Sequence, residues 1–306
     1  MLSFLFWNLG GERKAEAAVQ RRKEKERKAR ILEMIGNLAR LHEVDLLMLV
    51  ESPFESRTIQ QQVNKGNLNP HKTGFRENDP NSLCGKVQIF PRFPTRFLVP
   101  RSEGARYTGR VLRLPSPRME LNLFVVHFPS KRNASDESQS LAMPGFSAAV
   151  RRLENSGRTR HERTIVVGDL NQHPFDTGIV GAEGLNATMT RFVAEKVKRT
   201  VDGVKYPFFY NPMWSHYGDS THENSPPGSP NYEPPGTCYY KASESRWHYW
   251  NIYDQVLLRP ELLPFFRNSD LKILIGDGVT SLLDNNGIPD REAYSDHLPV
   301  FFRLDI

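Results

Sequence analysis

Ser295-Asp296-His297-Leu298 runs at once into Pro299-Val300-Phe301-Phe302. An acid–imidazole pair at the mouth of an apolar strand packs poorly and suits proton handling around a phosphate. The same device recurs upstream. Thr164-Ile165-Val166-Val167 runs into Gly168-Asp169-Leu170-Asn171, and Leu46-Leu47-Met48-Leu49-Val50 into Glu51. The run 121–126 meets His127, and Phe4-Leu5-Phe6-Trp7 meets Asn8. Five apolar runs thus carry a polar, acidic or imidazole side chain at one end. Because the first and the last both do so, one domain with a site assembled from the whole 306-residue chain is expected.

The hydrophobic content of 38% is that of a globular chain. Cys84 and Cys238 are too few for a disulfide framework and lack zinc-ligand spacing, so both read as structural. No signal-peptide pattern and no 18-residue apolar run occur, so a cytoplasmic protein with no membrane span is expected. The net charge of +6 invites a polyanionic partner. Its distribution matters more than its sum: residues 12–30 hold nine Arg or Lys and four Glu, a net of +5.

Residues 12–41 have no Pro, and no Gly before Gly36, and predict one long helix. Its second half carries Ile31, Met34, Ile35, Leu38 and Leu41 at helical spacing; its first half has almost no apolar stripe. That basic half reads either as a solvated helix laced by Arg22–Glu26, Glu24–Lys28 and Glu26–Arg30 pairs, or as an arm that touches nucleic acid through residues such as Arg21, Arg22 and Lys25. Further strands are expected at 2–8, 45–50, 86–90, 95–99, 109–114, 121–126 and 164–168. Helices are expected at 56–64, 144–156 and 186–197, with turns over 65–82 and a polar loop over 130–142. Alternation in the 86–126 strands is compatible with sheet-on-sheet packing. Residues 205–250 combine seven prolines with eleven aromatic residues between Phe208 and Trp250. This segment reads as an ordered loop beside the site or as a packed structural excursion.

In an extended chain Asp169 and Asn171 project together, a carboxylate to take a proton from water and an amide to meet a phosphate oxygen; the plainer reading is an Asx turn that ends a strand. Glu51 offers the single hard carboxylate by which Mg²⁺ is commonly held, or is a solvated strand end. Asp296 and His297, as neighbours, need different partners. Asp254, an acid entering the apolar run 252–258, is a sensible partner to fix the tautomer of His297. Asn8 and His127 are weak signals singly and gain weight from the ensemble.

The ordered set Trp7-Asn8, Glu51, Val126-His127-Phe128, Gly168-Asp169-Leu170-Asn171, Asp254 and Ser295-Asp296-His297 resembles the endonuclease/exonuclease/phosphatase superfamily, over essentially the whole chain. The resemblance implies a four-layer α/β sandwich of two packed mixed sheets flanked by helices, with the site at one end. It implies that Glu51 binds Mg²⁺ or Mn²⁺ with Asn8 and Asp296 close by, and that Asp169 orients or deprotonates the attacking water. It further implies that Asn171 and His127 contact the phosphate, and that His297, held by Asp254, stabilises the developing charge. The family shares a site and varies its loops, so the substrate stays open. The basic charge places nucleic acid first, DNA ahead of RNA, and a small-molecule or lipid phosphate second.

Overall fold

The computed structural model describes residues 1–68, 74–78, 84–116, 118–130, 136–156, 160–218, 232–241 and 248–306. Two large sheets organise the described residues. The first has five strands in the order Leu271–Ile273, Val300–Leu304, Leu2–Asn8, Leu46–Val50, Val87–Pro91. The second has seven, in the order Leu98–Gly104, Tyr107–Leu114, Met119–His127, Thr164–Asp169, Asp254–Leu258, Phe209–Tyr210, Ala187–Thr188. Both are mixed. Leu2–Asn8 runs parallel to Leu46–Val50, and Met119–His127 parallel to Thr164–Asp169; the other neighbours of these four strands are antiparallel.

Side-chain alternation builds the layers. Leu121, Leu123, Val125, Ile165, Val167, Val256 and Leu258 point into one apolar core shared with Phe4, Phe6 and Phe302 of the first sheet. Their neighbours Phe124, Val126, Val166 and Leu257 point the other way, onto Met143, Phe146, Val150 and Leu153 of the helix Asp136–Glu154. On the far side of the first sheet, Ile31, Met34, Ile35 and Leu38 dock the helix Ala18–Leu41. The result is helix, sheet, sheet, helix: the four-layer sandwich that the resemblance implies.

Several expected elements shift. The basic helix begins at Ala18 rather than at 12, where the Gln20 side chain accepts from the backbone N–H groups of Glu16 and Ala17. The helix expected over 144–156 starts about two turns earlier, at Asp136, with Pro144 inside it. The turn before the proline is held by burial: Met143 is inaccessible, and the Gln139 amide donates to Pro129 O at 2.7 Å. Residues 131–135 of the expected polar loop lie outside the described residues. The helix expected at 186–197 is instead a short strand, Ala187–Thr188, paired with Phe209–Tyr210, followed by one helical turn at Arg191–Ala194. Asn186 at φ 52° and Val197 at φ 66° bound the segment, and Thr190, extended at φ −110° and ψ 130°, breaks any helix within it. Residues 205–250 are not one loop. They contain most of the strand Val204–Pro207, all of Phe209–Tyr210, a 3₁₀ turn at Pro212–His216, and the strand Cys238–Tyr239 with the first residue of its antiparallel partner Trp250–Asn251. Pro226, Pro227, Pro230 and Trp247 of this segment lie outside the described residues, as do parts of the expected turns over 65–82.

Candidate active site

The site is made by strand ends. Parallel pairing in the second sheet sets His127 opposite Asp169, and antiparallel pairing sets Asp254 opposite the same Asp169. In the first sheet Asn8 pairs with Val50, which places Glu51 one residue beyond. The first and last strands are neighbours there, and Ser295 Oγ donates to Asn8 O at 2.8 Å while Trp7 Nε1 donates to His297 O at 2.9 Å. The Asn8 amide bridges the sheets by donating to Asp169 Oδ2 at 2.9 Å. Residues from 8 to 297 therefore meet at one end of the sandwich.

Backbone geometry tightens this end. Gly168 has φ 144°, and a methyl there would lie 2.1 Å from Val126 O, so only glycine lets the two strands approach. Glu51 and Asn171 both adopt φ near +50° although neither is glycine. Such residues cost about 1–3 kcal/mol and persist where the surroundings over-determine them. Gly10 and Gly11, at φ 70° and 68°, make a turn flanked by two carboxylates: a methyl at Gly10 would sit 3.2 Å from Asp296 Oδ1, and one at Gly11 would sit 3.7 Å from Glu51 Oε2.

Asp169 is buried. Burial first, then the nearby Asp254 charge, pushes its carboxyl up to about 6. Its oxygens accept from Asn8 Nδ2 and from the Asn171 backbone N–H, each at 2.9 Å. Asp254 Oδ2 lies 2.8 Å from His297 Nδ1. Burial alone would lower the His297 pKa, but the Asp254 carboxylate overrides it and holds the imidazolium well above its ordinary value. Glu51 Oε1 lies 3.0 Å from His127 Nε2, and that hydrogen bond, against some burial, holds the Glu51 carboxyl below the usual range. Asp296 turns away from His297, its Oδ2 3.8 Å from Arg291 Nε. The two neighbours do have different partners, as the sequence suggests.

Asn171 departs from the extended geometry. Asp169 Oδ1 accepts from the Asn171 N–H to close the Asx turn, Asn171 takes a positive φ, and its side-chain Nδ2 donates to Phe128 O at 2.9 Å. The amide is therefore anchored beside Asp169 rather than simply projecting with it. Arg21, Arg22 and Lys25 are exposed on the basic helix. Arg22 Nε bonds Glu26 Oε1 at 2.9 Å, as expected of a solvated pair, and Arg21 Nη2 donates to Glu16 O. The expected Glu24–Lys28 pair is replaced: Lys28 reaches Glu12 at 2.6 Å, and Glu24 bonds Arg27.

Arg27 is the residue that its sequence context disguises. It sits in the basic run yet is 1% exposed. Its guanidinium donates to Tyr294 O at 2.6 Å, to Leu9 O at 3.3 Å and to Gly11 O, and pairs with Glu24. It ties the helix to both segments that carry Asn8 and Asp296. His173 is a second residue without a sequence expectation. Just beyond Asn171, it is buried against Phe175, Tyr217, His248 and Tyr253, with Nδ1 2.7 Å from the Tyr217 hydroxyl. The only signal for it in the chain is that Gln172-His173 adjoins a motif.

No family model matches the sequence, and no curated protein matches it. Solved structures do match. An endonuclease/exonuclease/phosphatase family protein from Bacteroides thetaiotaomicron aligns over 98% of this chain and 96% of its own, at 12% identity and a TM-score of 0.52. A mannosyl-6-phosphatase from the same organism covers 99% of each chain at 12% identity and 0.52. TDP2 from D. rerio, solved with a single-strand DNA product, covers 98% of this chain and 97% of its own at 14% identity and 0.52. Identities this low speak to architecture, and the architecture is unambiguous: the chain has the fold of the endonuclease/exonuclease/phosphatase superfamily.

Proposed function

We propose that the chain is a divalent-metal-dependent phosphodiesterase that hydrolyses nucleic acid by attack of an activated water on phosphate. The observation that carries this reading is the convergence on Asp169 of Asn8, at 2.9 Å, and of the Asp254–His297 pair, whose ligand atoms and those of Asp169 all lie within 4.8 Å. Asp169 acts as the base. A carboxyl raised to about 6 is still largely ionised at neutral pH and takes a proton more readily than an exposed aspartate. The Asn8 amide and the Asn171 N–H fix its orientation. The His297 imidazolium, kept charged by Asp254, donates to a nonbridging oxygen as negative charge grows there. His127 and Asn171 face the same phosphate.

The donor set fits Mg²⁺ or Mn²⁺. Glu51 and Asp296 offer carboxylate oxygens on either side of the Gly10-Gly11 turn, with their side chains 40% and 26% exposed. The Asn8 carboxamide oxygen accepts from Gly10 N at 3.0 Å and keeps a second lone pair. Hard oxygen donors of this kind suit these cations. The buried Asp169–Asp254–His297 group suits them less, because His297 Nδ1 is already bonded to Asp254. When bound, the cation offsets charge on the phosphate oxygens.

The basic helix and the DNA product seen with D. rerio TDP2 favour nucleic acid, DNA ahead of RNA. The Bacteroides mannosyl-6-phosphatase, matched as well as TDP2, supports a small phosphate ester as the second reading. Among the described residues no helix is long and apolar enough to cross a membrane. Among the described residues neither Cys84 nor Cys238 is in a disulfide, in keeping with a reducing cytoplasm, which we propose as its location. The deciding assay presents single- and double-stranded DNA, RNA and small phosphate esters with Mg²⁺, Mn²⁺ or a chelator. Polymer cleavage that the chelator abolishes is expected. Intact polymers beside a consumed small ester would transfer the proposal to the second reading.

A further inference from the structure

The hairpin of Cys238–Tyr239 and Trp250–Asn251 is continuous with the segment that carries Asp296 and His297. Cys238 is bridged to His297, Tyr239 N donates to Asp296 O at 3.2 Å, and Leu298 N donates to Thr237 O at 2.7 Å. Across the hairpin, Cys238 pairs with Asn251 and Tyr239 with Trp250. Neighbouring side chains in extended strands take opposite faces. One face of this two-stranded ladder therefore carries Cys238 and Asn251, turned inward; Cys238 is 5% exposed and Asn251 is inaccessible, and an isolated bridge joins Cys238 to His297. The other face carries Tyr239 and Trp250 as a cross-strand pair, with the Tyr239 backbone against that of Asp296.

That outer face is aromatic, with Tyr239 and Trp250 half-buried and Tyr249 exposed. The rings of Tyr239 and Trp250 meet edge to face with centroids 5.4 Å apart, and Tyr249 lies nearly parallel to Tyr239 at 6.0 Å. Trp250 leans on the main core, which fixes the row in place, while Tyr249 is 58% exposed. The Tyr239 N–H bond to Asp296 O, at 3.2 Å, sets the first ring of the row beside the segment that carries the Asp296 carboxylate. Arg291, 3.8 Å from that carboxylate and half exposed, adds a cation at the same edge.

We propose that Tyr239, Tyr249 and Trp250 form a stacking platform for one unpaired nucleobase flanking the phosphate that is attacked, which makes the substrate single-stranded or frayed nucleic acid. This rests on the nuclease reading above. Three rings gathered at the surface beside a phosphate-binding edge present π-faces that any base can use. A base inside a duplex has both faces covered by its neighbours and cannot use them. A phosphate ester without a planar aromatic group gains nothing from the row.

The test compares single-stranded oligonucleotides that are identical except for one nucleotide lacking its base, with the base-free position moved along the chain. Steady-state kinetics are measured for the native protein and for Tyr239→Ala, Trp250→Ala, Tyr239→Phe and Trp250→Phe. At one position flanking the cut, removing the base should raise KM about ten-fold in the native protein, the scale of one base–aromatic stack. The alanine variants should erase that difference and the phenylalanine variants should keep it. Should an alanine variant fail to fold, as judged by its circular dichroism melt, the other alanine variant carries the comparison. A base preference that survives both alanine substitutions, or none at any position in a native protein that cuts the strand, overturns the platform alone. Native protein that leaves every oligonucleotide intact overturns the nuclease reading and the platform with it.

Discussion

Two carboxylate–histidine pairs stand at the same end of the sandwich with nearly equal lengths, 2.8 Å for Asp254–His297 and 3.0 Å for Glu51–His127. Their surroundings differ. Asp254 is inaccessible and the His297 side chain is 12% exposed, whereas the Glu51 side chain is 40% exposed over a His127 at 7%. A buried pair is a fixed device: breaking it leaves an uncompensated charge where water cannot help. A pair with one partner at the surface can open and exchange that partner for a metal cation. On the proposed reading, the first pair keeps a charged imidazole for the reacting phosphate. The second keeps a carboxylate ionised at the edge proposed to hold a divalent ion. Similar distances conceal different tasks, and burial tells them apart.

The largest effect is expected from breaking the buried pair. Asp254→Asn keeps the shape but removes the charge that holds the His297 proton, and turnover should fall about 10²–10⁴-fold, the usual scale for a positioned proton donor. Asp254→Ala should also cost about 3–5 kcal/mol of stability, read from a denaturant melt. In neither variant should the Mg²⁺ concentration for half-maximal rate move by much. A large shift in that concentration would place Asp254 at the cation and erase the distinction between the pairs.

Glu51→Gln tests the other side of the comparison. The half-saturating metal concentration should rise about ten-fold or more, while turnover at saturating Mg²⁺ falls less than in Asp254→Asn. Metal titrations of rate for the two variants, run side by side, give the cleanest contrast. If both titrate like the native protein, neither carboxylate holds the ion.

How far this is legible in the sequence follows from the same physics. Asn8, Glu51, His127, Asp169 and Asp254 can be read because each is a polar side chain abutting an unbroken apolar run, and a buried strand announces its own end. Their convergence can be read only through the resemblance, since strand order is a non-local property. At Asn171 the Asx-turn reading that the same residues also offer prevails over the extended one, since Asn is among the few non-glycine residues that readily take a left-handed backbone. Arg27 is unreadable for a different reason. In a stretch with nine Arg and Lys, the one whose guanidinium turns inward to three backbone carbonyls looks like its neighbours. The helix before Pro144 escapes a local reading because burial of Gln139 and Met143, which holds that turn, comes from tertiary packing.

The smallest effect comes from charges that touch neither pair, and it bounds the site from outside. Arg21, Arg22 and Lys25 are exposed on the first turns of the basic helix. Reversing all three to Glu should leave turnover at saturating oligonucleotide close to native, because Arg21 and Arg22 bond Glu16 and Glu26 rather than Asp169, Asp254 or Glu51. What should change is affinity and its dependence on salt. Each phosphate that is no longer neutralised takes about 0.7 off the slope of log affinity against log salt for a single strand, so a flatter line is expected. Arg27 must be spared in this experiment. It is a buried tie to the Leu9, Gly11 and Tyr294 carbonyls, and changing it would disturb the turn between Glu51 and Asp296. An unchanged slope would make the basic half a solvated helix. A collapse in turnover with affinity intact would show that it acts on the chemistry itself, and the separation between the two histidine pairs and their surroundings would have to be redrawn.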